Sequence, residues 1–127
     1  MRLGTDDAWL DLTRAGDDTW RVSADWSSVL AADFTACLSD AEVADFARQV
    51  LSRLGAASRA GFSAMVTPGR NNPLALKAQP VGDGFAFYVR LTPNGDDTVC
   101  HLQMELDPIP TPDLREMFDA LHAALLP

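Results

Sequence analysis

Lysine is all but missing from this chain. Lys77 is the only one, and ten basic against 18 acidic residues leave a formal charge of −8 at pH 7. Phosphate backbones are held by clustered Lys and Arg, so this balance argues against nucleic acid as a direct ligand and favours a basic protein partner. Cysteine is scarce as well. Cys37 and Cys100 are too few for a disulfide scaffold, and both are expected to be buried thiols. No run of about 18 apolar residues is present to span a bilayer. The opening Met1-Arg2-Leu3-Gly4-Thr5-Asp6-Asp7 lacks the apolar stretch of a secretory signal. The expectation is therefore a cytoplasmic protein with no membrane partner.

What is present fits one globular domain, 1–127. A chain of 127 residues, 47% of them hydrophobic, can bury roughly two thirds of its unfolded surface. Its charge is sorted along its length: residues 1–45 carry −7, residues 46–82 carry +5 with no acid, and residues 83–127 carry −6. Such sorting concerns partners and solubility through long-range fields, or else internal pairing of Arg48, Arg53, Arg59 and Arg70 with the acidic ends.

Alternation of apolar and polar residues predicts strands over 8–14, 20–26 and 30–38, with Gly16-Asp17-Asp18 turning the first into the second. Ser39-Asp40-Ala41-Glu42 has capping-box spacing and should start a helix, with apolar residues from Val43 to Leu54 at helical period and Gly55 as a left-handed C-terminal residue. Shorter alternations follow over 62–66 and over 74–78, the latter ended by Pro80. Residues 85–92 alternate most cleanly, and residues 100–106 form a last strand stopped by Pro108, Pro110 and Pro112. Thr111, Pro112 and Asp113 supply the cap, the preset φ and the acid of a second helix. The order βββαββββα reads as an α+β fold: a mainly antiparallel sheet of six or seven strands with two amphipathic helices packed on one face.

Catalytic chemistry finds little support in these residues, and the expectation is a non-enzymatic protein with no metal and no cofactor. His101 adjoins Cys100, but neighbours on a strand point to opposite faces. His122 sits beside the apolar stripe of the last helix. Gly82-Asp83-Gly84 lacks the third glycine of a dinucleotide loop, and no Walker-type lysine or Gly-x-Ser-x-Gly elbow occurs.

Two features point to binding. Gly-Asp-Asp-Thr occurs at 16–19 and again at 95–98, so Asp17, Asp18, Asp96 and Asp97 could form an acidic rim if both turns project from one end of the sheet. The alternations also leave an outward face containing Trp9, Asp11, Arg21, Asp25, Lys77, Tyr88, Arg90, His101, Gln103 and Glu105, which has the mixed aromatic, arginine and acidic composition of a protein-binding patch. The candidate partner-binding residues are thus Trp9, Asp17, Asp18, Asp25, Tyr88, Arg90, Asp96, Asp97, His101 and Glu105.

The succession Trp20 to Trp26, Ala36-Cys37-Leu38, the helix 40–54, the long strand 84–92, the strand 98–107 and the closing helix 113–126 resembles small bacterial proteins near the WapI-type toxin-immunity families. That resemblance implies a non-catalytic protein that masks a toxin, and an acidic surface would suit a basic one. The segment 102–125, strand then proline then amphipathic helix, is similar to acidic secretion chaperones, which implies instead a homodimer acting as a chaperone or adaptor. A small-molecule-binding protein or an enzyme, with its site between sheet and helices, is a further alternative.

Overall fold

The computed structural model describes residues 1–56, 59–93, 95 and 99–125. The elements run β1 (Arg2–Gly4), β2 (Ala8–Gly16), β3 (Thr19–Trp26), β4 (Leu30–Cys37), α1 (Asp40–Leu54), β5 (Phe62–Met65), β6 (Leu74–Val81), β7 (Gly84–Leu91), β8 (Leu102–Pro110) and α2 (Thr111–Ala124). The fold is α+β and its strand pairings are antiparallel, but the expected single sheet is two. One has the order β1-β2-β3-β4 and the other β5-β6-β7-β8. The division has a simple cause. Each sheet is a meander of consecutive strands, and α1 intervenes between β4 and β5, so those two strands never pair. The eighth strand is β1, three residues long, which sets Leu3 opposite Leu10. It is too short for alternation to reveal.

The two sheets meet where β1 and β2 approach β8, and α1 packs on α2 and on β5. One contiguous cluster of buried apolar side chains draws on both sheets and both helices, with Phe46, Phe87 and Phe118 among its largest members. Full burial of such a side chain stabilises by about 1.5–3 kcal/mol. Phe46 of α1 meets Phe118 of α2 edge to face at 6.1 Å, which fixes the helix pair at its centre.

The start of α1 is as expected. Ser39 Oγ accepts from the Glu42 N–H at 3.1 Å while Glu42 Oε1 accepts from the Ser39 N–H at 2.9 Å. Its end differs, because Gly55 has φ −85° and not the left-handed value. At α2 the cap residue is Pro110, with no side-chain cap. The Thr111 hydroxyl instead donates to the Asp83 carbonyl at 2.8 Å, tying the helix start to the turn before β7.

Two prolines expected to end or follow strands lie inside them. Pro108 falls within β8, an edge strand of its sheet, where a missing N–H removes no ladder bond. Pro80 falls within β6, but the pairing with β5 stops at Phe62 opposite Ala78, so β6 is locally an edge there too.

Candidate binding surfaces

The outward face foreseen from the alternation is split between the two sheets. On the N-terminal sheet, Trp9 lies opposite Asp25, and Arg21 lies opposite Thr13 and Thr35. The charges here are spent on one another. Arg2 stands over the Trp9 ring at 4.1 Å and reaches Asp11 at 3.5 Å, while Arg21 grips Asp33 through two bonds of 2.8 and 2.6 Å. The Arg21 guanidinium holds the Asp33 carboxyl below the usual carboxylate range, first by its hydrogen bonds and then by its charge. Asp25 Oδ1 accepts from the Ser28 N–H at 2.9 Å and so serves the β3–β4 turn.

On the C-terminal sheet the outward rows are Ser63, Lys77, Tyr88 and Glu105, and beside them Met65, Ala75, Arg90 and Gln103. These rows floor an open groove of about 540 Å³, lined also by Gln49 of α1. Met65 and Tyr88 are among the chain's exposed large apolar side chains, at 41% and 36% exposure. Arg90 Nη1 donates to Gln103 Oε1 at 2.9 Å, which orients the guanidinium along the sheet. Gln49 closes the wall. Its Nε2 donates to the Met65 carbonyl at 2.9 Å and its Oε1 accepts from the Met65 N–H at 3.1 Å, so one side-chain amide pairs with the free edge of β5 as a neighbouring strand would.

The remaining expected residues fare differently. Asp17 and Asp18 are exposed at the β2–β3 turn, Asp18 with φ +49°. Asp96 and Asp97 lie outside the described residues, in the sequence between β7 and β8 of the other sheet. His101 is exposed just ahead of β8, not on it, so the strand argument that separated it from Cys100 does not apply. Both cysteines are exposed, contrary to expectation. Cys37 lies opposite Thr19 on the outward face at the end of β4, and Cys100 precedes β8.

Sequence reasoning missed Gln49 as a groove residue, since a helix residue meeting a strand edge leaves no periodic signal, and it left out Ser63, Met65 and Ala75 although they alternate with inward Phe62, Ala64, Leu74 and Leu76. It also missed where the unspent acid lies. Glu105, Asp107, Asp113, Glu116 and Asp119 are exposed on β8 and α2, and none of them is in an ion pair among the described residues. The alternate spacing on β8 and the three-residue spacing on α2 could have shown it.

The arginines of the middle segment are mostly used internally. Arg70 bonds Glu42 at 2.9 and 3.1 Å, Arg48 bonds Asp45 at 3.0 Å, and Arg59 donates to the carbonyls of Gly82 and Gly84. Among the described residues no group of three or more His, Cys, Asp or Glu side chains is placed to hold a metal ion, and no helix is long and apolar enough to cross a membrane. Neither a protein-family model nor a curated protein matches the chain.

Proposed function

We propose that the protein is a non-catalytic binding domain of immunity type, which masks a basic protein partner by seating it on the outer face of the C-terminal sheet. The groove of about 540 Å³ there carries the reading, because it combines exposed Met65 and Tyr88 with Lys77, Arg90 and Gln103 on a rigid sheet. Large rigid apolar groups supply anchoring energy, and flanking charges fix orientation. The exposed acids of β8 and α2 supply a long-range field that attracts a basic partner, while Lys77 takes up its acidic groups at close range. The apolar interior also supports a binding role. Among the described residues, Thr67 and Thr92 are the buried polar ones, and both hydroxyls donate to main-chain carbonyls, of Asn71 and Asn72.

The test is a calorimetric titration against the basic products of the genes next to its own, at low and at high salt. Tyr88→Ala is expected to weaken binding at least tenfold, about 1.4 kcal/mol, and added salt to weaken it further. Salt-insensitive binding, or an unchanged affinity for Tyr88→Ala, would remove the reading. A second reading rests on the size of the groove, which falls in the range of small-ligand pockets. It predicts a small anion held at Lys77 in the groove, detectable in the same calorimeter without a protein partner.

A further inference from the structure

Four strand edges must be accounted for in two open sheets, those of β1, β4, β5 and β8. The edge of β5 is closed by Gln49, and β1 and β8 lie against one another. The edge of β4 is left. Among the described residues, the one hydrogen bond that reaches its main chain from outside the β3 pairing is Arg70 Nη2 to the Cys37 carbonyl, 2.6 Å, at its last residue.

The inward face of this strand also runs out of cover. Ala36 is buried, Phe34 and Ala32 are half-buried, and Leu30 is 50% exposed, beside Trp26 at 40% and Val29 at 73%. The turn that carries them is held, not loose. Ser27 and Ser28 have φ +54° and +58°, values that cost a non-glycine residue about 1 kcal/mol or more each. Three bonds keep them there: Ser27 N–H to the Asp7 carbonyl at 2.6 Å, Val29 N–H to the Trp26 carbonyl at 3.0 Å, and Ser28 N–H to Asp25 Oδ1 at 2.9 Å. Natural sheets blunt an open edge with charge or proline on the inward side, and β4 has neither.

We propose that β4 takes up an extended segment of a protein partner as a fifth strand of the N-terminal sheet, one that alternates apolar residues with Lys or Arg. The apolar residues continue the face of Leu30, Ala32 and Phe34, and the basic ones fall on the outward side, between acids at the two ends of the strand. Charge selects this occupant. Asp33 on the outward face is already held by Arg21, but Asp7 and Asp25 stand at the turn end and Asp18, whose carbonyl accepts from the Leu38 N–H at 3.1 Å, stands at the other, and none of these three is in an ion pair among the described residues. A second copy of this chain would instead bring two such edges, each on a molecule of charge −8 with unpaired acids at both strand ends, side by side. The site rests on the reading of the protein as a partner-binding domain, but it uses a different surface.

The experiment measures fluorescence anisotropy of a labelled octapeptide alternating valine and lysine at low salt, with amide hydrogen exchange as a second readout. Binding is expected to slow exchange in β4, to fall at least tenfold when every peptide amide is N-methylated, and to vanish when glutamate replaces lysine. Leu30→Lys, a change at an exposed position, is expected to weaken binding at least tenfold with an unchanged circular dichroism melt, whereas Tyr88→Ala leaves it unaltered. The proposal is overturned by absent binding, by equal binding of the methylated or glutamate peptide, by an inert Leu30→Lys, or by a dimer in light scattering that Leu30→Lys dissolves. Loss of peptide binding with partner binding still sensitive to Tyr88→Ala removes the β4 site and spares the groove, and the converse result removes the groove alone.

Discussion

Replacing Gln49 should show how much a single side chain contributes when it completes a sheet. Its amide makes two bonds to the Met65 main chain, and Nε2 also lies 3.2 Å from Asp45 Oδ2. A net intramolecular hydrogen bond stabilises by about 0.5–1.5 kcal/mol, and Met65 is exposed enough for water to replace part of the loss. Gln49→Leu is therefore expected to cost about 1–2 kcal/mol. For 127 residues the unfolding entropy is about 0.27 kcal/mol/K, so the melting temperature should fall by about 4–7 °C.

Gln49→Glu separates the two bonds. It keeps an acceptor for the Met65 N–H, but it sets a carboxylate against the Met65 carbonyl and the Asp45 side chain. The introduced group is then harder to ionise in the folded chain, so its folded pKa lies above that of an ordinary glutamate, about 4.3. A raised carboxyl destabilises fully above its folded pKa and is relieved as pH falls towards the unfolded value. Gln49→Glu should thus be less stable than Gln49→Leu at pH 7 and more stable near pH 4, where the protonated acid can donate to the carbonyl. Calorimetric melts at both pH values measure this. A melting temperature for Gln49→Leu equal to that of the parent, or a gap between the two variants that ignores pH, would refute the pseudo-strand account.

The turn before β7 offers a steric test. A Cβ on Gly84 would lie 2.1 Å from the Ile109 carbonyl oxygen and 2.7 Å from its carbon, and main chain cannot rotate away. Gly84→Ala should cost about 1–3 kcal/mol by forcing β8 from β7, read as a lower denaturant midpoint; an unchanged midpoint would contradict the spacing of the two strands. The Glu42 carboxyl is held below the ordinary range, first by its hydrogen bonds to Arg70 and then by the Ser39 N–H. Its contribution is therefore complete above about pH 4.3 and lost as pH falls through the lower, folded value. Arg70→Ala should make the loss of stability below that pH shallower, and identical acid limbs for the two proteins would contradict the pairing.

Local rules were legible where local chemistry decides. The capping box at Ser39 and Glu42, the β2–β3 hairpin and the alternation over β7 all follow from neighbouring residues, and all stand in the structure. Long-range choices were not. Whether β4 pairs with β5 depends on the path of α1, which no residue of either strand records. Pro80 and Pro108 were read as breakers because the cost of proline depends on whether a neighbouring strand is present to miss the N–H, and that is a property of the sheet. Of the expected outward face, alternation placed Tyr88, Arg90 and Glu105 together correctly along three paired positions and their neighbours. It could not say that Trp9 and Asp25 belong to a different sheet, or that Asp25 would be absorbed by its own turn.

The sorted charge, the chain's most visible sequence feature, changes meaning once the pairs are known. The basic middle segment is not a basic patch, since Arg70 and Arg48 neutralise acids of the first segment and Arg59 is held by carbonyls. Of the same segment, Lys77 lines the groove and Arg53 is exposed on α1, neither in an ion pair among the described residues. Unspent negative charge sits on exposed side chains of β8 and α2, and also at Asp6, Asp7, Asp17 and Asp18 beside the N-terminal sheet. Screening confines each such charge to about 8 Å at physiological salt, but several on adjoining elements still bias the approach of a basic molecule. Attraction and grip are thereby assigned to different residues in the proposed complex. Under that proposal the acids of α2 would govern how fast a partner arrives, and Met65 and Tyr88 how long it stays, because rim charges act on association and buried anchors on dissociation.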